Sequence, residues 1–457
     1  MKLTASDAAV QTGGEMVGND AVVHEWSFDS RSLIPGEGFI ALRGERDGNA
    51  FVGDAFERGA AFVVAERVPG DCDGTVVVVD DSMVALAELG RAARNAIDAT
   101  VVAISGSAGK TSTKDLVAAA VGVAVPAHAS LASLNNEIGL PVTLLNTPES
   151  AGAVVLEMGA RFAGNISTLC EIARPSIGVI TNIGMAHAEH LGGREGIATV
   201  KGELLDALPG DGLAVLNADC DHSLGLRSRA RAQTLIVGES QGADVLVSAI
   251  ELDDELRPKF RFESPWGSTS IRLSVRGFHQ AINAAQAATV ALYMGADIDA
   301  VCAALATCAT SGSRMKLTNS RNGVQVLDDS YNASPAAMLA ALDALARLPV
   351  QGRRIAVLGE MRELGVFATT EHSSVGDAVV AAGVDILILV SAGTDGIAQA
   401  AAKGNTSIVS VADAAEAAQV ACQIVGPGDA VLVKASHAVG LEVVAEALLI
   451  LNEGVAL

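Results

Sequence analysis

The residues that suggest chemistry begin in VVAISGSAGKTSTKDLVAAA, where an apolar run ends in Gly106-Ser107-Ala108-Gly109-Lys110-Thr111 and a helical pattern follows. Glycines let the backbone turn so that its N–H groups point inward, and a helix N-terminus adds partial positive charge. Lys110 can reach terminal phosphate oxygens, so the loop suits a phosphate. The Thr111 hydroxyl suits Mg²⁺. The general phosphate-loop pattern places its first glycine where this chain has Ile104, so the loop is the shorter GxxGKT form. The ordinary alternative is a Gly-rich turn that binds no nucleotide.

Three further positions fall at or just beyond apolar runs, where open α/β sheets gather their ligands. Glu157 closes AVVLE, His187 follows VITNIGMAH, and Lys201 is placed at a helix start in ATVKGELLDAL. A carboxylate and an imidazole can complete the coordination of one or two Mg²⁺ ions that bridge nucleotide phosphates. Taken singly, each also has an ordinary reading: a strand-end charge, a satisfied loop histidine, a solvated helix lysine. Their order behind a phosphate loop favours the joint one.

These residues need rigid elements to hold them, and the surrounding pattern supplies them. With 457 residues the chain exceeds the usual domain size, so several cores are expected. Residues 1–97 read as a small α/β domain with short strands at 38–42, 61–65 and 75–79. Residues 98–312 read as a parallel-sheet domain with strands at 100–104, 153–157 and 177–181, and RPKFRFESPWGSTSIRLSV predicts an antiparallel edge around 244–276. Residues 313–457 read as a Rossmann-like domain with strands at 323–328, 354–359, 385–390 and 430–434. The fold class is therefore α/β in three domains. A formal charge of −22 disfavours nucleic-acid partners. The six scattered cysteines form no CxxC pair, and the chain shows neither a signal peptide nor an apolar stretch of membrane-spanning length. A monomer in the cytoplasm, without membrane insertion, is expected.

In order and spacing, GSAGKTSTKD, SLNNEIGLPVTLL, LEMGA, ITNIGMAHAEHLGG and KGELLDAL resemble the central ATPase domain of the Mur ligases. The N-terminal DSRSLIPGEGFIALRGERDGNAFVGDAFERGA is similar to that family's uridine-nucleotide-binding domain. DDSYNASP, VLGEMRELG and VLVKASHAVGLE resemble its D-alanyl-D-alanine-adding members. The resemblance implies that Ser30, Arg31, Arg43, Gly44 and Asp47 meet a UDP-sugar, with Arg31 and Arg43 supplying local positive charge for its pyrophosphate. It places Asn135, Asn136 and Glu137 near the sugar-peptide or phosphate end. It assigns ATP to residues 106–112 (including Ser112) and to Asn283, Arg314, Asp329 and Tyr331, and Mg²⁺ to Thr111, Glu157, His187 and Lys201. Lys201 would be an N6-carboxylysine. Lys110, Lys201, His187 and Arg314 are the implied catalytic set.

The implied reaction joins D-Ala-D-Ala to UDP-MurNAc-tripeptide with ATP, through an acyl phosphate, and an open form is expected before substrates bind. Three positions in two motifs depart from the family pattern: Gln280 stands where an Asn is usual in GxHNxxN, and Ala435 and His437 stand in KASH where KGSR is common. Two alternatives differ in class. One is another ligase of the superfamily, although the DNPR-type motif of the diamino-acid-adding members is absent. The other is a nucleotide-switched binding protein that ligates nothing.

Overall fold

The computed structural model describes residues 2–44, 46–68, 70, 73–131 and 133–451. Of the six cysteines, Cys72 lies outside the described residues. Three main sheets follow one another along the chain. In the first, the strands Gly38–Ile40, Phe62–Ala65 and Val76–Val78 run parallel to one another and to the edge strand Trp26–Ser27. The other edge, Glu15–Val17, runs antiparallel.

The second sheet has nine strands. Thr100–Ser105 lies between Ile177–Ile180 and Ala153–Glu157, parallel to both. All five residues of AVVLE are buried, as expected of a parallel strand covered on both faces. From Thr100–Ser105 the chain first adds Ala127–Ala129 and Ala153–Glu157 on one side and then crosses to Ile177–Ile180 on the other, so the C-terminal end of Thr100–Ser105 lies where the sheet order reverses and a crevice opens. The expected antiparallel edge is present: Val245–Leu252, Pro258–Ser264 and Gly267–Arg272 form a meander closed by a turn at Pro265-Trp266.

The third sheet has six strands, parallel except for the pair Lys316–Asn319 and Gln325–Asp328. Two of its strands, Lys316–Asn319 and Ser407–Val411, go beyond the sequence reading. Both are sheet edges and only partly buried, so neither stands out as an apolar run.

One placement needs correction. Lys201 is not at a helix start but in the body of Arg194–Asp206, because Gly193, at φ 90, already serves as the N-cap eight residues before the lysine. Among the described residues no helix is long and apolar enough to cross a membrane.

Candidate functional site

The phosphate loop leaves the strand Thr100–Ser105 and enters the helix Lys110–Val121. A Cβ on Gly106 would lie 1.9 Å from Thr181 Oγ1, so the backbone can pass only as glycine. Gly109 turns at φ 78 in the left-handed region and serves as N-cap; among the described residues no side chain caps that end. The loop is held from the neighbouring strand end. Thr181 Oγ1 and Asn182 Nδ2 both donate to the Ala108 carbonyl, at 2.6 and 3.0 Å, and Ala108 N–H donates to Asn182 Oδ1 at 3.0 Å. Ser107 Oγ accepts from Gly184 N–H at 2.8 Å. Lys110 Nζ folds back to donate to the Gly106 carbonyl at 3.0 Å.

Beside the loop, Thr111 Oγ1 donates to one oxygen of buried Glu157 at 2.7 Å, and Asn135 Nδ2 donates to the other, also at 2.7 Å. Burial pushes the Lys110 amine below its ordinary pKa; nearby Arg314 adds to that and Glu157 opposes it. Lys201 is lowered to about 7, first by burial and then by Lys110, again against Glu157. His187 is lowered by burial and by Lys110, with Glu363 opposing and Lys201 adding a little. Lys110, Glu157, His187, Lys201 and Arg314 thus form one electrostatic neighbourhood.

Four of them, Lys110, Glu157, His187 and Arg314, line a cavity of about 920 Å³ between the nine-stranded and six-stranded sheets. Residues 107–112, Asn135, Asn136, Glu137, Glu157, His187, Asn283, Arg314, Asp329 and Tyr331 line it; Gly106 and Lys201 do not. Asn136 and Glu137 also have local partners: Asn136 Oδ1 accepts from Gly139 N–H at 2.9 Å, and Glu137 accepts from Asn165 Nδ2 at 2.8 Å. Arg314 donates to Ser133 Oγ at 2.9 Å, and its guanidinium lies 4.0 Å from the centre of the Tyr331 ring. Tyr331 stacks in turn on His437, with ring centroids 5.7 Å apart, so the His437 departure puts an imidazole where it supports the tyrosine. Asp329 pairs with Lys434 at 2.6 Å and accepts from Met315 N–H. The Gln280 departure is absorbed locally: its side-chain oxygen accepts from Asn283 Nδ2 at 2.9 Å.

The N-terminal candidates lie elsewhere: Ser30, Arg31, Arg43, Gly44 and Asp47 do not line this cavity. Arg31 pairs with Asp29 at 2.7 Å, which holds that carboxyl down to about 2, and Arg43 lies 3.6 Å from Glu66. Asp47 caps the turn Gly48–Phe51 and pairs with Arg67 at 2.6 Å. Arg31 and Arg43, expected to supply local positive charge for a pyrophosphate, thus each face a carboxylate here.

The six-stranded unit touches the central one. Glu363 contacts His187 and Arg161, and its backbone carbonyl accepts from Glu189 N–H at 3.1 Å. Sequence reasoning missed Asn182, Ser133, Arg161 and Glu363. Asn182, Ser133 and Glu363 sit inside motifs quoted for other residues, Arg161 directly follows one, and only the fold shows what they touch.

Residues 104–291 match the Mur ligase middle domain, and residues 313–437 match the Mur ligase glutamate ligase domain. A UDP-N-acetylmuramoyl-tripeptide--D-alanyl-D-alanine ligase of Mycobacterium tuberculosis is 39% identical over 464 residues, covering 92% of this chain and 91% of that protein. The Escherichia coli protein of the same name is 33% identical, with 88% and 89% covered. Among solved structures, MurF from Acinetobacter baumannii superimposes with a TM-score of 0.87 at 27% identity, covering 98% of this chain and 99% of that one. MurF from Thermotoga maritima in complex with ADP gives 0.79 at 30% identity, with 93% and 97% covered.

Proposed function

Since the chain belongs to the Mur ligase family, we propose that its large cavity is the site of an ATP-driven ligation that joins D-alanyl-D-alanine to UDP-N-acetylmuramoyl-tripeptide in peptidoglycan synthesis. The observation that carries this reading is the gathering of Lys110, Thr111, Glu157, His187 and Arg314 around one cavity at the seam of the two matched domains.

A carboxylate does not expel oxygen when an amine attacks it, so it must first gain a better leaving group. The acceptor's carboxylate oxygen attacks the γ-phosphorus of ATP, the bond to the β-phosphate oxygen breaks, and ADP leaves. Lys110 and Arg314 flank that path and offset the charge that builds on the transferred group. The amine of D-Ala-D-Ala then adds to the acyl carbon. Loss of a proton and of phosphate leaves the amide.

The donor set fits Mg²⁺. Thr111 and Glu157 present hard oxygens 2.7 Å apart beside the loop, and no group of three or more His, Cys, Asp or Glu suited to a metal occurs among the described residues. Such sparse ligation suits an ion that keeps waters and shares phosphate oxygens. When bound there it would screen the phosphate charge, and His187 and a carbamylated Lys201 would help hold it. A pKa of about 7 leaves much of the Lys201 amine neutral near neutral pH, as reaction with CO₂ requires. The reading takes the enzyme as a monomer that works in the cytoplasm, where nucleotide-linked precursors are made. The uridine-nucleotide end is assigned to Ser30, Arg31, Arg43, Gly44 and Asp47, with Arg31 and Arg43 turning from their carboxylates to the pyrophosphate.

The test is phosphate release from ATP with each substrate left out in turn, followed by mass measurement of the product. Release that needs both UDP-MurNAc-tripeptide and D-Ala-D-Ala supports the ligase. Equal release without them identifies a nucleotide switch or a simple ATPase.

A further inference from the structure

Glu363 belongs to the loop that follows the strand Arg354–Gly359, whereas His187 follows the strand Ile177–Ile180 in a different sheet. Its carboxylate meets the central unit twice: one oxygen bonds His187 Nδ1 and the other lies 3.3 Å from Arg161 Nη2. Its own carbonyl accepts from Glu189 N–H at 3.1 Å. Both Glu363 and His187 sit at φ 61, a left-handed backbone that residues with side chains seldom adopt and that persists only where several contacts hold it. Further along the same loop, a Cβ on Gly365 would meet Glu189 at 3.1 Å, and Phe367 approaches Gly193. His187 and Arg161 both line the cavity.

We infer that Glu363 is a positioning residue, by which the docked six-stranded unit orients the imidazole of His187 for metal-nucleotide binding. This rests on the ligase reading above. A carboxylate on Nδ1 fixes the tautomer with the proton on that nitrogen and leaves Nε2, with its lone pair, for the cavity. Docking of the C-terminal unit and assembly of the phosphate site are then one event, since the group that orients the ligand arrives only when the two units touch. An interdomain ion pair serving cohesion alone would use Arg161 and have no need of the histidine.

The test is a double-mutant cycle on Mn²⁺ binding to the ADP-loaded full chain, read by electron paramagnetic resonance, which needs no turnover. Glu363→Ala should weaken Mn²⁺ binding on the order of tenfold. Glu363→Gln, whose amide oxygen still accepts from Nδ1–H, should lose less and guards against misfolding of the first variant. In a His187→Ala background, Glu363→Ala should add no further loss. Unchanged Mn²⁺ affinity in Glu363→Ala overturns the inference, and so does an equal extra loss in the His187→Ala background, because Glu363 would then act independently of His187. Wild-type protein that binds Mn²⁺ and ADP but ligates nothing sinks the ligase reading instead, so the two failures are separable.

Discussion

Lys201 is held in the interior with its pKa lowered from 10.5 to about 7, a difference equivalent to roughly 5 kcal/mol against the charged form. The unfolded chain keeps that proton up to about 10.5, while the folded chain releases it near 7. Between those values unfolding takes up a proton, so stability rises with pH across the window, and the penalty is greatest at and below pH 7. Lys201→Met should therefore abolish ligation yet raise the melting temperature at pH 7 in CO₂-free buffer. The gain should fade as pH climbs towards 10.5; a lowered melting temperature would mean that the amine is stabilising. In Lys201→Ala, acetate-like anions or high bicarbonate should restore part of the lost activity, because an added anion takes the place of the carbamate. A variant that keeps full activity would end the carbamate role. Residues of this kind were legible from the chain only when local spacing announced them. Lys110 and Thr111 are set by a loop that sequence displays, whereas Glu363 lies 176 positions from the histidine it holds and Ser133 lies 181 from Arg314.

At the scale of elements, the phosphate loop works because the strand Thr100–Ser105 delivers it against the neighbouring strand end. Gly106→Ala would force its methyl group into Thr181 Oγ1 at 1.9 Å, and Thr181 also donates to Ala108 in the loop. The expected outcome is loss of ADP-dependent thermal stabilisation, with a fall in intrinsic stability of about 1–3 kcal/mol. Calorimetric binding of ADP at wild-type affinity would show that the loop tolerates the shift. The strands that carry the site were readable as apolar runs because parallel strands buried on both faces have no other composition available to them. The partly exposed edge strand Ser407–Val411 offers only a weak alternation, and the start of Arg194–Asp206 hid behind a glycine cap rather than a Ser or Asp.

The molecule as a whole depends on side chains that cross from one unit to the next. Asp115, on the helix of the phosphate loop, accepts from Ser311 N–H at 2.7 Å, so the segment leading to Arg314 is tied to the nucleotide site itself. Asn146 does the same for the N-terminal sheet. Its amide accepts from Trp26 N–H at 2.7 Å and donates to the Trp26 carbonyl at 2.9 Å, standing in for a further strand beside that edge. Trp26 is itself buried edge-on against Phe62, so the seam continues into the N-terminal core. Asn146→Ala leaves two buried backbone groups without these partners, a loss of about 1–3 kcal/mol. The three-domain reaction makes the direction specific. The nucleotide loop belongs to the central sheet and should keep its affinity for ATP. On the proposed reading the N-terminal unit holds the acceptor's uridine end, so KM for UDP-MurNAc-tripeptide should rise several-fold while KM for ATP stays unchanged. Steady-state kinetics with each substrate varied in turn measures both, and a rise in the ATP constant alone would place the acceptor's anchor somewhere other than the N-terminal sheet.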